Sequence, residues 1–280
     1  MNVKTQTAPV DTVEDETGTD TGTDSWWSFT KFVLKLVTAV LIFRICIFSP
    51  FSIPSESMLP RLMNGDYLLA AKWSYGFSGN SLPFDAGLPE GRILASQPER
   101  GDMVIFKHPI DNTDYIKRVI ALPGDRIAVL GGQLVLNGEF IPREQIADFD
   151  IPVSINTSCS WGADEVTSDA GEQVCRYRQF KETLPGGRSY NVLDFGLTQG
   201  DSFEEVTIPE GHMFVMGDNR DNSRDSRFEA MSGDAVGIVP QDKLVGEAFV
   251  IMWSTDGGAE WLKPWTWFSS ARGSRIGTVL

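Results

Sequence analysis

The chain has 280 residues, 41% hydrophobic and 22% charged, which suits one or two globular domains with appendages. Its formal net charge is -14, from 24 basic and 38 acidic side chains. That balance argues against nucleic-acid binding, which gathers Lys and Arg against phosphates.

Residues 1–24 are rich in Thr, Gly and Asp and bury too little apolar surface to offset chain entropy. A disordered tail is expected there, reaching to residue 28. Residues 29–51 are then almost continuously apolar, interrupted by Lys31, Lys35 and Arg44. A bilayer core requires about 20 apolar residues, reached here only if Lys35 and Arg44 lie near the ends and snorkel outward. A single transmembrane anchor over 29–50 is the expectation; a buried amphipathic helix is the alternative. No small-x-small cleavage site closes the run, so a removable secretory signal fits poorly. Lys31 and Lys35 flank the amino end, and no basic group follows until Arg61. The positive-inside rule therefore places the tail in the cytoplasm and the rest outside, with Trp26 and Trp27 at the inner interface.

Beyond the anchor the pattern is mainly β. Short runs rich in Val, Ile and Phe predict strands at 67–73, 102–107, 115–122, 125–130, 133–136, 212–216 and 244–252. Asn137-Gly138 between apolar flanks is a strong hairpin signal. Residues 76–91 read as loop. Residues 148–187 are less hydrophobic, with few clear strands, and fall within an insert over 128–209. That insert separates two halves of a catalytic core, 51–127 and 210–280. Cys159 and Cys175 lie in the insert, and an extracytoplasmic location would let them pair. Without a Cys-x-x-Cys pair, a zinc site is not expected, nor is any cofactor. Trp253 reads as core. Trp265 and Trp267, near Pro264, read equally as core or as an apolar patch resting on the outer leaflet.

The segment after the anchor carries the chemistry. Pro54 and Pro60 stiffen Ile53-Pro54-Ser55-Glu56-Ser57-Met58-Leu59-Pro60 and leave Ser57 where an extended stretch turns. A serine becomes a nucleophile only when a base takes its proton; otherwise Ser55 and Ser57 simply cap a turn. In 114–122, alternation puts Tyr115, Lys117 and Val119 on one face and Ile116, Arg118 and Ile120 on the other. If the Tyr115 face is buried, desolvation makes Lys117 a neutral base; on an edge it would be an ordinary solvated lysine. His108 and His212 are rival bases without a triad pattern around them. The 217–227 turn alternates Asp218, Arg220, Asp221, Arg224, Asp225 and Arg227, either as solvated ion pairs or as a brace that sets Ser223 beside Lys117.

Residues 54–62, 101–106, 114–125 and 217–227 resemble, in order, the sequence boxes of bacterial type I signal peptidases. The resemblance implies a β catalytic domain like that of these peptidases and the SOS-repressor autoproteases, with an inserted β-rich domain and one preceding transmembrane helix. It implies a Ser-Lys dyad endopeptidase removing signal peptides at the outer face of the cytoplasmic membrane. Ser57 is similar to the nucleophile, Lys117 to the general base, Ser55 to the oxyanion hydroxyl and Ser223 to the lysine-orienting hydroxyl. Asp225 and Arg227 match the supporting pair. Phe51, Ile53, Pro54, Met58, Leu62, Tyr115 and Ile116 correspond to a shallow apolar pocket for small side chains at P1 and P3. Implied partners are secreted preproteins, the lipid bilayer and the translocation machinery. Glu56 and Arg61 stand where many members have glycine and threonine. A narrower Ser-Lys peptidase of the same superfamily, and a non-catalytic membrane-anchored β-domain binding exported chains, are the competing expectations.

Overall fold

The computed structural model describes residues 22–79, 92–160, 162–260 and 262–280. Most of the expected disordered tail lies outside them, as does most of the expected loop at 76–91. Helix α1, Gly22–Cys46, takes in 22–28, which the sequence had assigned to the tail. Trp26, Phe29, Phe32, Leu34, Leu36, Val40 and Leu41 are all exposed on it. Among the described residues no helix is both long and apolar enough to cross a membrane. The helix stops at Cys46, and Phe48–Ser52, which overlaps the end of the expected anchor, is strand.

The unit from 43 to 280 is built around a seven-stranded antiparallel sheet. Its strands are β1 (Phe48–Ser52), β2 (Asp66–Ala71), β3 (Met103–Lys107) and β4 (Asp114–Ala121), completed after the insert by β15 (His212–Met216), β16 (Val239–Pro240) and β17 (Leu244–Ser254). The spatial order is β1-β2-β17-β3-β4-β15-β16, so β4 lies between β3 and β15. Val119 of β4 joins a buried cluster with Val104, Phe106 and Val215, while Ile120 and Ala121 join another with Ile127, Leu134 and Phe214. Both faces of this strand are therefore covered, where simple alternation suggested one. A third cluster (Ile53, Met58, Leu62, Leu68, Ile105, Ile251) lies under the segment that carries Ser57.

The insert holds β5 (Arg126–Leu130), β6 (Gln133–Leu136), β7 (Glu139–Phe140), β8 (Arg143–Gln145), β9 (Phe149–Pro152), β10 (Asp164–Thr167), β11 (Gln173–Tyr177), β12 (Gln179–Thr183), β13 (Ser189–Leu193) and β14 (Ser202–Thr207). They form three small sheets, β14-β5-β6-β7, β13-β12-β8 and β10-β11-β9. Asn137 and Gly138 adopt φ of 56° and 87°, the left-handed pair that a tight hairpin between β6 and β7 requires. Residues 148–187 contain four strands where the sequence offered few clear ones. Strands β9 and β10 are short and largely exposed, while β11 and β12 bury adjacent or polar positions, so none shows a simple apolar alternation. Cys159 and Cys175 are disulfide-bonded across this region.

Candidate active site

Ser57 sits in a turn whose entry is tied to β2. Ile53 N–H donates to Asp66 O at 2.8 Å, and Gly65 N–H donates to Ile53 O at 3.0 Å. Met58, Leu59 and Leu62 are buried beneath, so the turn is pinned by its apolar side and Ser57 is left to face β4. Lys117 comes from β4, opposite Val104 of β3. Its Nζ lies 2.7 Å from Ser57 Oγ, in hydrogen-bond contact. The lysine is 4% exposed, and burial lowers its pKa to about 8 against the pull of Asp225 and Asp218. Near neutrality a useful fraction is therefore free amine. Ser55 Oγ stands 3.4 Å from Ser57 Oγ.

The 217–227 turn closes the site from behind, and it is a buried charge network. Arg118 forks onto Asp218 at 2.7 and 2.6 Å, Arg220 onto Glu182 at 2.8 and 2.5 Å, and Arg227 onto Asp225 at 2.8 and 3.0 Å. Burial alone would raise the Asp225 carboxyl pKa, but the Arg227 guanidinium outweighs it and the net shift is downward. Asp225 Oδ2 also accepts the Gly217 N–H at 3.0 Å. A Cβ on Gly217 would meet Ser57 O and Ser223 Oγ at 2.4 Å each, so only glycine lets the two loops approach. Ser223 is buried here, and its Oγ makes no hydrogen bond to Lys117, so the expected bond is not formed.

A groove of about 370 Å³ runs past Ser57 and Lys117. Phe51, Ile53, Pro54, Tyr115 and Ile116 line it, as the resemblance implied; Met58 and Leu62 do not, being packed in the cluster behind it. Asn222, Arg224 and Asp234 also line it. Sequence reading missed them as groove residues because the 217–227 charges looked like a solvated turn. Only the exposed Arg224–Asp234 pair, at 3.0 Å, fits that description. A larger cavity of about 580 Å³, lined by Arg61, Arg118, Arg188 and Glu247 among others, contains neither Ser57 nor Lys117.

The rival bases are engaged elsewhere. His108 is fully buried; its Nδ1 accepts the N–H groups of Ile110 and Asp111 at 3.2 and 3.4 Å, which leaves Nε2–H to donate to Ala235 O at 3.0 Å. His212 Nδ1 donates to Glu210 O at 2.9 Å. Among the described residues no group of three His, Cys, Asp or Glu side chains is placed to hold a metal ion. Trp253 is half-buried, and Trp265 is 68% exposed on the short helix α2 (Pro264–Ser269).

Comparison with known proteins identifies the family. The family model described as signal peptidase, peptidase S26, matches residues 26–253. A signal peptidase I from Rickettsia typhi is 35% identical over 271 residues, covering 89% of this chain and 91% of its own. One from Rickettsia akari is 36% identical over 245 residues, with coverages of 84% and 81%. A crystal structure of a signal peptidase I from Enterococcus faecalis aligns with 54% of this chain and 97% of its own at 24% identity, with a TM-score of 0.28 too low to carry weight. With the family model spanning most of the residues and relatives matched nearly end to end, the chain belongs to the signal peptidase family, peptidase S26.

Proposed function

We propose that this protein is a membrane-bound serine endopeptidase that removes amino-terminal signal peptides from exported preproteins, with Ser57 as nucleophile and Lys117 as general base. The observation that carries this is the contact between a dry lysine amine and one serine hydroxyl at 2.7 Å. Neutral Lys117 takes the Ser57 proton as Oγ adds to the scissile carbonyl carbon. The Ser57 N–H and the Ser55 hydroxyl hold the resulting oxyanion, each such donor contributing about 3–4 kcal/mol in comparable sites. The new ammonium of Lys117 protonates the departing amine, the C–N bond breaks and an acyl-enzyme remains. Water then adds to the ester, giving its proton to Lys117, which passes it to Ser57 Oγ as the acyl C–O bond breaks and the free acid leaves. Asp225 and Arg227 brace the lysine's surroundings, and Ser223 is poised to orient the amine when substrate closes the groove.

The signal peptide lies extended along β1 and the start of β4, adding backbone hydrogen bonds to their edges. Phe51, Ile53, Pro54, Tyr115 and Ile116 leave room only for small side chains at P1 and P3. The stretches 51–127 and 210–280 act as the catalytic core and 128–209 as a non-catalytic insert. Helix α1, 25 residues long, spans about 37 Å. Although its described residues fall short of the apolar length of a full span, it is proposed as the anchor in the cytoplasmic membrane, with Lys31 and Lys35 toward the headgroups, the amino terminus inside and the catalytic core outside. Trp265 and Trp267 are candidates for contact with the outer leaflet, and the translocation machinery is a natural neighbour.

The test is processing of a preprotein by the full-length protein in lipid vesicles. Ser57→Ala and Lys117→Ala should each lower kcat by about 10⁴-fold or more while the protein stays folded. Retained cleavage in either variant overturns the dyad. Because the amine must be unprotonated, kcat should climb about tenfold per pH unit below pH 8 and level off above it. A flat profile between pH 5 and 9 counts against Lys117.

A further inference from the structure

The backbone of the nucleophile is itself gripped, and the steps above leave that grip unused. Asn219 is fully buried and holds two consecutive carbonyls of the Ser57 loop. Its N–H donates to Ser57 O at 3.1 Å, and its Nδ2 donates to Glu56 O at 3.2 Å. The Glu56 carboxylate in turn accepts a hydrogen bond from Ser160 Oγ. Ser160 is firmly seated, since its N–H donates to the hydroxyl of buried Tyr177 at 3.1 Å and its neighbour Cys159 is bonded to Cys175.

A trans peptide is planar, so its C=O and N–H point in opposite directions. Fixing Glu56 O against Asn219 therefore fixes where the Ser57 N–H points. Among the described residues that N–H meets no acceptor, which leaves it free for an incoming oxygen. Asn219 Oδ1 is buried without a partner, and a flipped amide would set that oxygen against Glu56 O. A side chain kept for packing alone would avoid that cost. We infer that Asn219 is a positioning residue that aims the Ser57 N–H at the oxyanion, with Ser160 steadying the same peptide through Glu56. This rests on Ser57 being the nucleophile. An aspartate at 219 would preserve shape and the backbone bond to Ser57 O but set a carboxylate oxygen against Glu56 O, loosening the peptide plane without contact to the hydroxyl or the amine.

The experiment uses the full-length protein in vesicles, a preprotein with alanine at P1 and P3, an uncleavable peptide of the same sequence, and a peptide aldehyde. Ser57 Oγ adds to the aldehyde carbon, and the former carbonyl oxygen occupies the oxyanion position. Assayed at a pH well above the Lys117 midpoint, Asn219→Asp should lower kcat by 10- to 100-fold and aldehyde affinity by the same factor, with KM and uncleavable-peptide affinity within twofold. Ser160→Ala should give the same pattern at two- to fivefold. Unchanged kcat in folded Asn219→Asp, or parallel loss of aldehyde and uncleavable-peptide binding, overturns the inference. If Asn219→Asp does not fold, Ser160→Ala decides: a selective loss upholds the inference and an unchanged kcat overturns it. Normal cleavage by Ser57→Ala would instead defeat the dyad, and this inference with it.

Discussion

Arg118 with Asp218 and Arg176 with Asp150 make the same two-pronged contact, at 2.7 and 2.6 Å in both cases. The first pair lies within the catalytic core, with side chains 8% and 1% exposed; the second lies on the small disulfide-bearing sheet, at 42% and 34%. Identical geometry does not mean identical energy. Buried partners have given up hydration, so each depends on the other, and removal of one strands a charge in a medium that screens it poorly. Exposed partners exchange each other for water at almost no net cost. In the core, buried pairs of this kind fix the 217–227 turn around Ser57 and Lys117. The disulfide sheet buries only a small cluster around Ile151, Cys175 and Tyr177, and a covalent cross-link adds to that packing.

The sharpest way to break this contrast is to truncate a buried cation. Arg220→Ala leaves Glu182 uncompensated and should cost about 3–5 kcal/mol in urea unfolding, whereas a loss below about 1 kcal/mol would erase the distinction between the regions. Next is the cross-link. Replacing Cys159 and Cys175 together by serine should cost about 3 kcal/mol in the loop-entropy account, seen as earlier unfolding of the insert. If the unfolding midpoint is unchanged, the small sheets hold themselves.

Lys117 gives a slightly smaller effect of opposite sign. Its pKa falls from 10.5 to about 8 on folding, so the unfolded chain binds more protons between those values and stability rises with pH across that window. The burial penalty is fully present below pH 8. Lys117→Met should abolish cleavage yet raise stability at pH 7 by about 2–3 kcal/mol, with the gain vanishing towards pH 10.5. A destabilised methionine variant would mean the amine is better solvated than its burial indicates. The smallest effect should come from Arg176→Ala, which ought to leave the melting temperature within measurement error.

Much of the site was legible in advance because its residues sit in short, stiff motifs. Pro54 and Pro60 frame Ser57, and the strand containing Lys117 has clear alternation. Ser223 stands where its motif implies but without the expected bond to Lys117. Met58 and Leu62 were expected in the pocket and instead fill the core behind it, since a turn sends successive side chains to both sides. The strands of 148–187 escaped notice because they are short and their buried positions do not follow hydrophobicity, Gln179 and Glu182 being buried while Phe180 is half-buried. Asn222, Arg224 and Asp234 carried no signal as groove residues, for nothing local distinguishes a charged turn facing water from one lining a cleft.

The sequence by itself determined the order of the motifs, the Asn137-Gly138 hairpin and the residue types able to perform acyl transfer. It could not determine which face of β4 would be dry, because alternation fixes a period and leaves the partners open. Only the tertiary structure, by placing β4 between β3 and β15 and covering both its faces, turned Lys117 into a desolvated amine against Ser57, sixty positions away. Contacts over such separations are set by strand pairing and by which apolar clusters close over them, and neither is encoded in any single stretch of the chain.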